Sequence, residues 1–460
     1  MTWMTDAGFK KCLCWVVIAF FAGCLGTAPE VLASEEKGVK LLTLDEALGI
    51  TLEKNKDIQK AREYRNMVEG RYIEERAAAL PQLQVTGLVS RDRDESLAIF
   101  FRGLIPLEKE TRSGEIGLTQ ALYTFGRIGA AIRAAKVGLA TADDQLRIFR
   151  QAAFRDVSAS FYDILLAREL HSLAVQILEQ RKRHLDEARK RFAAGVATEY
   201  DVLAAEVAVE NARPDVIRAE NLIRTSRERL KFLLGIAEQV DVVGSLEGPL
   251  ALQPQYEETV EIAWKNRPEL ADLRKRLEIS KELVKIYDAG NMPRIDLKAA
   301  YGWRQLVFGS AAGDGQEWSA GLYLSFPFFD GLRTRGKVIQ ARTDLANLKI
   351  DEAKQLDSIS LQSRDAVNAF QESTQIVMAL SDTVKQAERL LSMAEKGYEF
   401  GVKTKLDVDD AQLNLTQAKG NLARARRDYM VASVTLEWVK GTLEVKKIRK
   451  DHYISLKNEN

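Results

Sequence analysis

A seam of small and aliphatic residues in alternating steps of three and four runs Val202, Ala205, Val209, Ala212, Val216, Ala219, Ile223, Ser226, Leu230, Leu233. The same rhythm returns at Val408, Ala411, Leu415, Ala418, Leu422, Ala425, Tyr429, Ala432, Leu436 and Val439. A strict seven-residue repeat keeps one stripe of a helix against a neighbour along a coiled coil. Small residues at alternate positions let that neighbour come close. Written twice, the seam makes the chain a tandem duplication built around long, closely packed helices. Such a repeat takes precedence over a domain count based on the length of 460 residues.

Each copy carries the same parts in the same order. The first repeat, 41–235, opens with helices over 44–55 and 58–80, ended by Pro81. Alternation then marks two strands, about 83–90 (Leu83, Val85, Gly87, Val89) and 115–123 (Ile116, Leu118, Gln120, Leu122), around a long charged loop, 91–113. A long helix follows, about 126–194, with its own seam from Ile132 to Ala153, and then the seam helix, about 198–234. Residues 236–256 read as a linker. The second repeat, 257–441, has helices at 257–265 and 268–290, Pro293 in the place of Pro81, and strands at about 295–303 and 317–326. Its long helix spans about 331–400 and its seam helix about 404–440, leaving a tail at 442–460. Pro214 interrupts the first seam where Gly420 stands in the second, and predicts a kink.

Composition narrows the class. A hydrophobic content of 46% supports a core and is too low for a polytopic helical membrane protein. Lys plus Arg at 67 against Asp plus Glu at 66 leaves +1, with no basic block to track a phosphate backbone, so nucleic acid is not a partner. Residues 1–33 read as an export signal: Lys10 and Lys11 precede the apolar run 12–25, and Val31-Leu32-Ala33 offers a cleavage site. That run is shorter than the ~20 residues that span a bilayer. A second processing site, Phe21-Ala22-Gly23-Cys24, resembles a lipoprotein box and would make Cys24 a lipidated terminus. Cleavage after Ala33 would instead leave no cysteine, hence no disulfide and no thiol chemistry. His171, His184 and His452 lack ligand spacing, so no metal or other cofactor is indicated. No catalytic constellation points to an enzyme.

Lengths and strands together point to an architecture. A helix of about 68 residues is roughly 100 Å long, and the two shorter helices of each repeat nearly sum to it, so they can flank it end to end. The strands, at about nine residues with aromatic Tyr301, Trp303 and Trp318 on the apolar face, have the dyad pattern and length of membrane barrel strands. Outer-membrane barrels need at least about eight strands, and an open edge cannot be left in lipid. Four strands per chain therefore require several chains to close one barrel.

At this point the chain resembles the TolC-like outer-membrane efflux channels, over about residues 40–442. The signatures are the strand-to-helix turns Tyr123-Thr124-Phe125-Gly126 and Phe326-Pro327-Phe328-Phe329-Asp330-Gly331, and the helix-to-helix turns Gly195-Val196-Ala197-Thr198 and Gly401-Val402-Lys403-Thr404. The resemblance implies a mainly α homotrimer: an α-helical barrel joined to a twelve-stranded β-barrel in the outer membrane of a Gram-negative bacterium. It also implies a passive exit duct served by a periplasmic adaptor (membrane fusion) protein and an inner-membrane transporter. The outer-membrane component of type I protein secretion shares this fold and remains the alternative. A periplasmic coiled-coil adaptor is a weaker one, since no lipoyl-like all-β domain can be read.

The helix-to-helix turns form the tip. In each, Gly195 or Gly401 can end the long helix in the left-handed conformation. Thr198 and Thr404 can cap the next helix, with Asp201 and Asp407 three residues on. Asp410 lies one turn beyond Asp407, out of reach of the cap. In the resembling family Asp-x-x-Asp forms a carboxylate ring at the periplasmic constriction, and Asp407 and Asp410 match it. Such a ring should favour cations and raise some of its own pKa values. The family's latch between a tyrosine, a basic residue and an aspartate maps to Tyr398, Lys403 and Asp201, with Lys403 unable to make the bidentate fork of arginine. The turns, with Gly195, Val196, Thr198, Gly401, Val402 and Thr404, are the expected adaptor-docking points.

Overall fold

A computed structural model describes residues 39–93, 108–249 and 253–444. The export signal with Cys24, the middle of the charged loop with Phe100 and Phe101, and most of the tail with His452 lie outside the described residues.

Two helices of 67 residues each dominate: α3, Arg127–Ala193, and α7, Arg333–Glu399. Each is flanked by two shorter helices. In the first repeat these are α2, Lys56–Ala77, and α4, Glu199–Leu234, both packed on α3. In the second, α6, Pro268–Asp288, and α8, Lys405–Val439, pack on α7 and also on α3. Every residue of the two duplicated seams is buried or half-buried, none exposed. The heptad stripe is therefore the packing face, as its periodicity requires. Pro214 sits inside α4 without ending it.

The end-to-end joints have specific chemistry. Asn55 precedes α2 and follows α1, Leu44–Lys54. Its Oδ1 accepts the first N–H groups of α2, from Asp57 (3.0 Å) and Ile58 (3.1 Å), while its Nδ2 donates to the carbonyl of Leu233 at the end of α4 (2.7 Å). One amide thus serves the start of one helix and the end of another, satisfying groups that helix termini leave open. Gly235, at φ +70°, completes the joint so closely that a Cβ would stand 2.3 Å from the Lys54 carbonyl oxygen. In the second repeat α5, Tyr256–Asn266, leads to Arg267, which is buried under Trp438. Arg155 lies over the same ring, at 4.5 Å against 4.6 Å for Arg267. Gly441, at φ +69°, abuts Asn266 there.

Between the repeats, residues 236–256 are more than a linker. They contain β4, Val240–Val242, which pairs in parallel with β1, Lys40–Leu42. Leu42, Val240 and Val242 are fully buried in the largest core cluster, with Phe154, Phe161, Leu230 and Leu234. Within it Asp241 is clamped by the guanidinium groups of Arg168 and Arg227. Burial pushes its carboxyl up, but the arginines and the Val242 N–H outweigh this and hold it below the ordinary range.

At one end lies a four-stranded antiparallel sheet in the order β2-β3-β5-β6. Its strands are β2, Gln82–Arg93, β3, Glu108–Tyr123, β5, Arg294–Phe308, and β6, Ala311–Ser325. They run 12 to 16 residues, well beyond the nine suggested by apolar alternation. The charged segments read as loop continue the ladder: Arg91 pairs with Glu110, Asp92 with Lys109 and Arg93 with Glu108. Opposite charges across a strand pair support it outside an apolar band.

Candidate functional site

The sheet register assembles two unlike faces. Val85, Ile116, Tyr301 and Trp318 lie in one cross-strand row, and Leu83, Leu118, Ala299 and Ala320 in the next. This face is apolar and open to the surroundings, with Val85 78% and Trp318 75% exposed. Rows of the opposite face carry Thr86, Glu115, Gly302 and Glu317, or Gln84, Gly117, Ala300 and Ser319. A polar and an apolar face on strands of this length, with aromatics among the apolar positions, are what a barrel wall between lipid and water requires. Among the described residues no helix is long and apolar enough to cross a membrane. Both sheet edges, β2 and β6, are unpaired among the described residues.

About 100 Å away along α3 and α7 are the two helix-to-helix turns. Gly195 and Gly401, each at φ +72°, close the long helices. The N–H groups of Val196 and Val402 donate back to the carbonyls of Arg191 (2.9 Å) and Gly397 (2.7 Å), the longer-range bond of the Schellman pattern. Thr198 and Thr404 then cap α4 and α8 through complete capping boxes with Asp201 and Asp407. The Thr404 N–H and hydroxyl, followed by Lys403, hold the Asp407 carboxyl below its ordinary range, and Thr198 does the same to Asp201. The caps are therefore intact above about pH 4 and weaken as pH falls through these lowered values. Within one protomer this is the reverse of the raised values expected for a carboxylate ring.

Within the protomer no hydrogen bond joins Asp201, Tyr398 and Lys403 among the described residues. Asp201 is engaged by Thr198, and Lys403 by Asp407 of its own hairpin at 3.3 Å. Tyr398 instead receives a hydrogen bond from Arg191 of the other hairpin at 2.5 Å, while Lys405 lies over its ring. A second link between the hairpins went unread in the sequence: His184 Nδ1 lies 3.0 Å from Asp409, both side chains being mostly enclosed. Burial raises the Asp409 carboxyl, but His184, Lys405 and Arg181 more than offset it, and the net shift is downward. His184 is thus an interhelical partner rather than a free surface histidine. Its only sequence signal was its place on the α3 face that meets α8. Asp410 is exposed beyond the cap. Val196 and Val402 stand 75% and 80% exposed at the turn apices.

The sequence model of the outer membrane efflux protein family matches residues 47–236 and 259–442, one segment per repeat. The outer membrane protein TolC of Vibrio cholerae is 23% identical over 374 residues, covering 80% of this chain and 83% of that protein. The alkaline protease secretion protein AprF of Pseudomonas aeruginosa is 24% identical over 381 residues, covering 80% and 78%. The crystal structure of the Campylobacter jejuni CmeC outer membrane channel superposes with a TM-score of 0.75 over 88% of each chain at 16% identity, so the tandem-repeat fold is shared. Matched in both repeats, this chain belongs to the outer membrane efflux protein family.

Proposed function

We propose that this outer-membrane protein is the exit duct of a tripartite export system, a trimer that passively conducts cargo delivered by an inner-membrane transporter and a periplasmic adaptor. The observation that carries this reading is the placement of its two unlike ends. A lipid-compatible sheet with two open edges stands at one end of the helical body, and exposed apolar turns stand at the other. Three sheets of four strands make a closed wall in which β2 of one protomer meets β6 of the next, satisfying edges that lipid cannot. The other end is free to receive an adaptor. Its residues are Gly195, Val196, Thr198, Gly401, Val402 and Thr404.

Val196→Glu with Val402→Glu tests the docking end without disturbing the fold, since exposed substitutions usually change stability by within about 0.5 kcal/mol. Replacing Gly195 or Gly401 would be less clean, because their φ of +72° strains any other residue. Export by the complete system should fall to background while trimers persist in the membrane. Undiminished export would remove the turns as docking points.

At the same end, Asp407 and Asp410 of three protomers form a carboxylate constriction. Arg191 and Tyr398, with Lys403 and Asp201, restrain its opening. In planar bilayers Asp410→Asn should lower cation selectivity, and Tyr398→Phe should raise the open fraction with selectivity unchanged. Unchanged selectivity in Asp410→Asn would count against the ring. Type I protein secretion stays as the second reading, favoured by the similarity to a protein named for alkaline protease secretion. Co-purification with an ATP-driven transporter rather than a proton-driven pump would select it.

A further inference from the structure

The two strand-to-helix turns break rules that the rest of the chain obeys. Six of the eight α-helices among the described residues place an acidic residue in the first turn, where the helix dipole favours it. The two long helices place none; α3 begins with Arg127 and α7 with Arg333, followed by Arg335 and Lys337. Arg127, Arg335 and Lys337 are exposed and have no ion-pair partner among the described residues. The nearby acids are already engaged: Asp330 by Thr334 at 2.6 Å, Asp296 by Arg294 at 2.8 Å, and Glu282 by Arg133 at 2.7 Å and Lys285 at 2.6 Å. Arg333 approaches Asp330 only to 3.9 Å.

The same turns hold the only non-glycine residues at positive φ among the described residues, Phe125 (φ 52°) and Leu332 (φ 66°). A left-handed apolar residue costs roughly 1–2 kcal/mol, and neither recovers this by burial. Both are exposed, as are Phe328 (82%) and Phe329 (72%). β3 and β6 end at the same side of the sheet with β5 between them, so the turns are about 10 Å apart. Exposed aromatics and unpaired cations therefore form one rim at the end of the sheet where β3 and β6 pass into the long helices.

We propose that this rim binds anionic phospholipid headgroups of the inner leaflet, with Arg127, Arg335 and Lys337 meeting the phosphates and Phe125, Phe328, Phe329 and Leu332 seated at the acyl boundary. The proposal rests on the barrel reading of the sheet. The chemistry is complementary: cations beside an anionic leaflet attract its lipids, and apolar rings fill the zone between headgroup and hydrocarbon.

Native mass spectrometry of the full-length trimer, released from micelles with equal phosphatidylglycerol and phosphatidylcholine, tests it. The wild type should retain phosphatidylglycerol preferentially, by roughly five-fold for each engaged cation, and lose the preference as salt rises. The variant Arg127→Gln, Arg335→Gln, Lys337→Gln should remain trimeric without the preference. Lys337→Gln alone should lower it in proportion, which covers a triple variant that fails to assemble. A wild type without preference, a salt-insensitive preference, or a variant that keeps it would overturn the proposal. So would a variant that alters only the ion selectivity of the pore, which would place the cations in the lumen. A monomer in the wild-type spectrum would contradict the barrel reading itself, and the rim with it.

Discussion

Gly235→Ala and Gly441→Ala are expected to be the most damaging small substitutions outside the sheet, each costing about 2–5 kcal/mol. Two effects add. A left-handed backbone penalises any Cβ by roughly 1–2 kcal/mol, and forced overpacking adds typically 1–3 kcal/mol. At Gly235 the new atom would lie 2.3 Å from the Lys54 carbonyl oxygen, and at Gly441 2.8 Å from the Asn266 carbonyl, both rigid backbone. The joints between α4 and α2 and between α8 and α5 would have to open. Gly195→Ala is the internal control, because its φ is similar but nothing lies within 4 Å of the added atom. The midpoint of heat-induced unfolding should shift far more for the joint variants than for the tip variant. Equal shifts would mean that backbone strain alone governs these positions and that the end-to-end contacts contribute little.

Asp241→Asn should destabilise the middle of the molecule by about 3–5 kcal/mol, the usual consequence of removing one partner from an enclosed charge cluster. It would leave Arg168 and Arg227, which now share one carboxylate, facing each other without a counter-charge. The pH dependence follows from the lowered carboxyl. Its stabilisation is fully present above the unfolded value of about 4 and is lost as pH falls through the depressed folded value. Wild-type stability should therefore drop on acidification from about pH 5 toward pH 2, with a shallower drop in Asp241→Asn. Parallel acid profiles for the two proteins would place the acid sensitivity elsewhere.

The sequence made the helices legible because their packing leaves a periodic trace. Val408 to Val439 repeat every seven residues, and the same residues line the packed face. The strands were legible in their apolar stretches and truncated elsewhere. Arg91, Asp92, Arg93 and Lys109 lie beyond the apolar band, where the ladder continues with charged side chains that read as loop. The β1–β4 pair escaped notice because three-residue strands are too short for any periodicity and their pairing joins distant segments. The tip was half legible. Gly195, Thr198 and Asp201 form a local pattern that sequence spacing reveals, and so do Gly401, Thr404 and Asp407. Arg191 with Tyr398 and His184 with Asp409 are contacts between hairpins about 200 residues apart, fixed by how four helix ends converge, a register set by tertiary packing. Within the protomer Tyr398 is bonded by Arg191, a residue outside the latch of Lys403 and Asp201 that the family resemblance implied.

Closure of one β-barrel by three copies of the sheet is open to a single decisive measurement, the mass of the detergent-solubilised protein by multi-angle light scattering, corrected for bound detergent. Open edges at β2 and β6 and an exposed apolar face lead to a stable trimer, near three times the mass of the mature chain, with strand content intact. A monodisperse monomer that keeps its strand content would contradict it, because four strands alone leave two unsatisfied edges in the membrane.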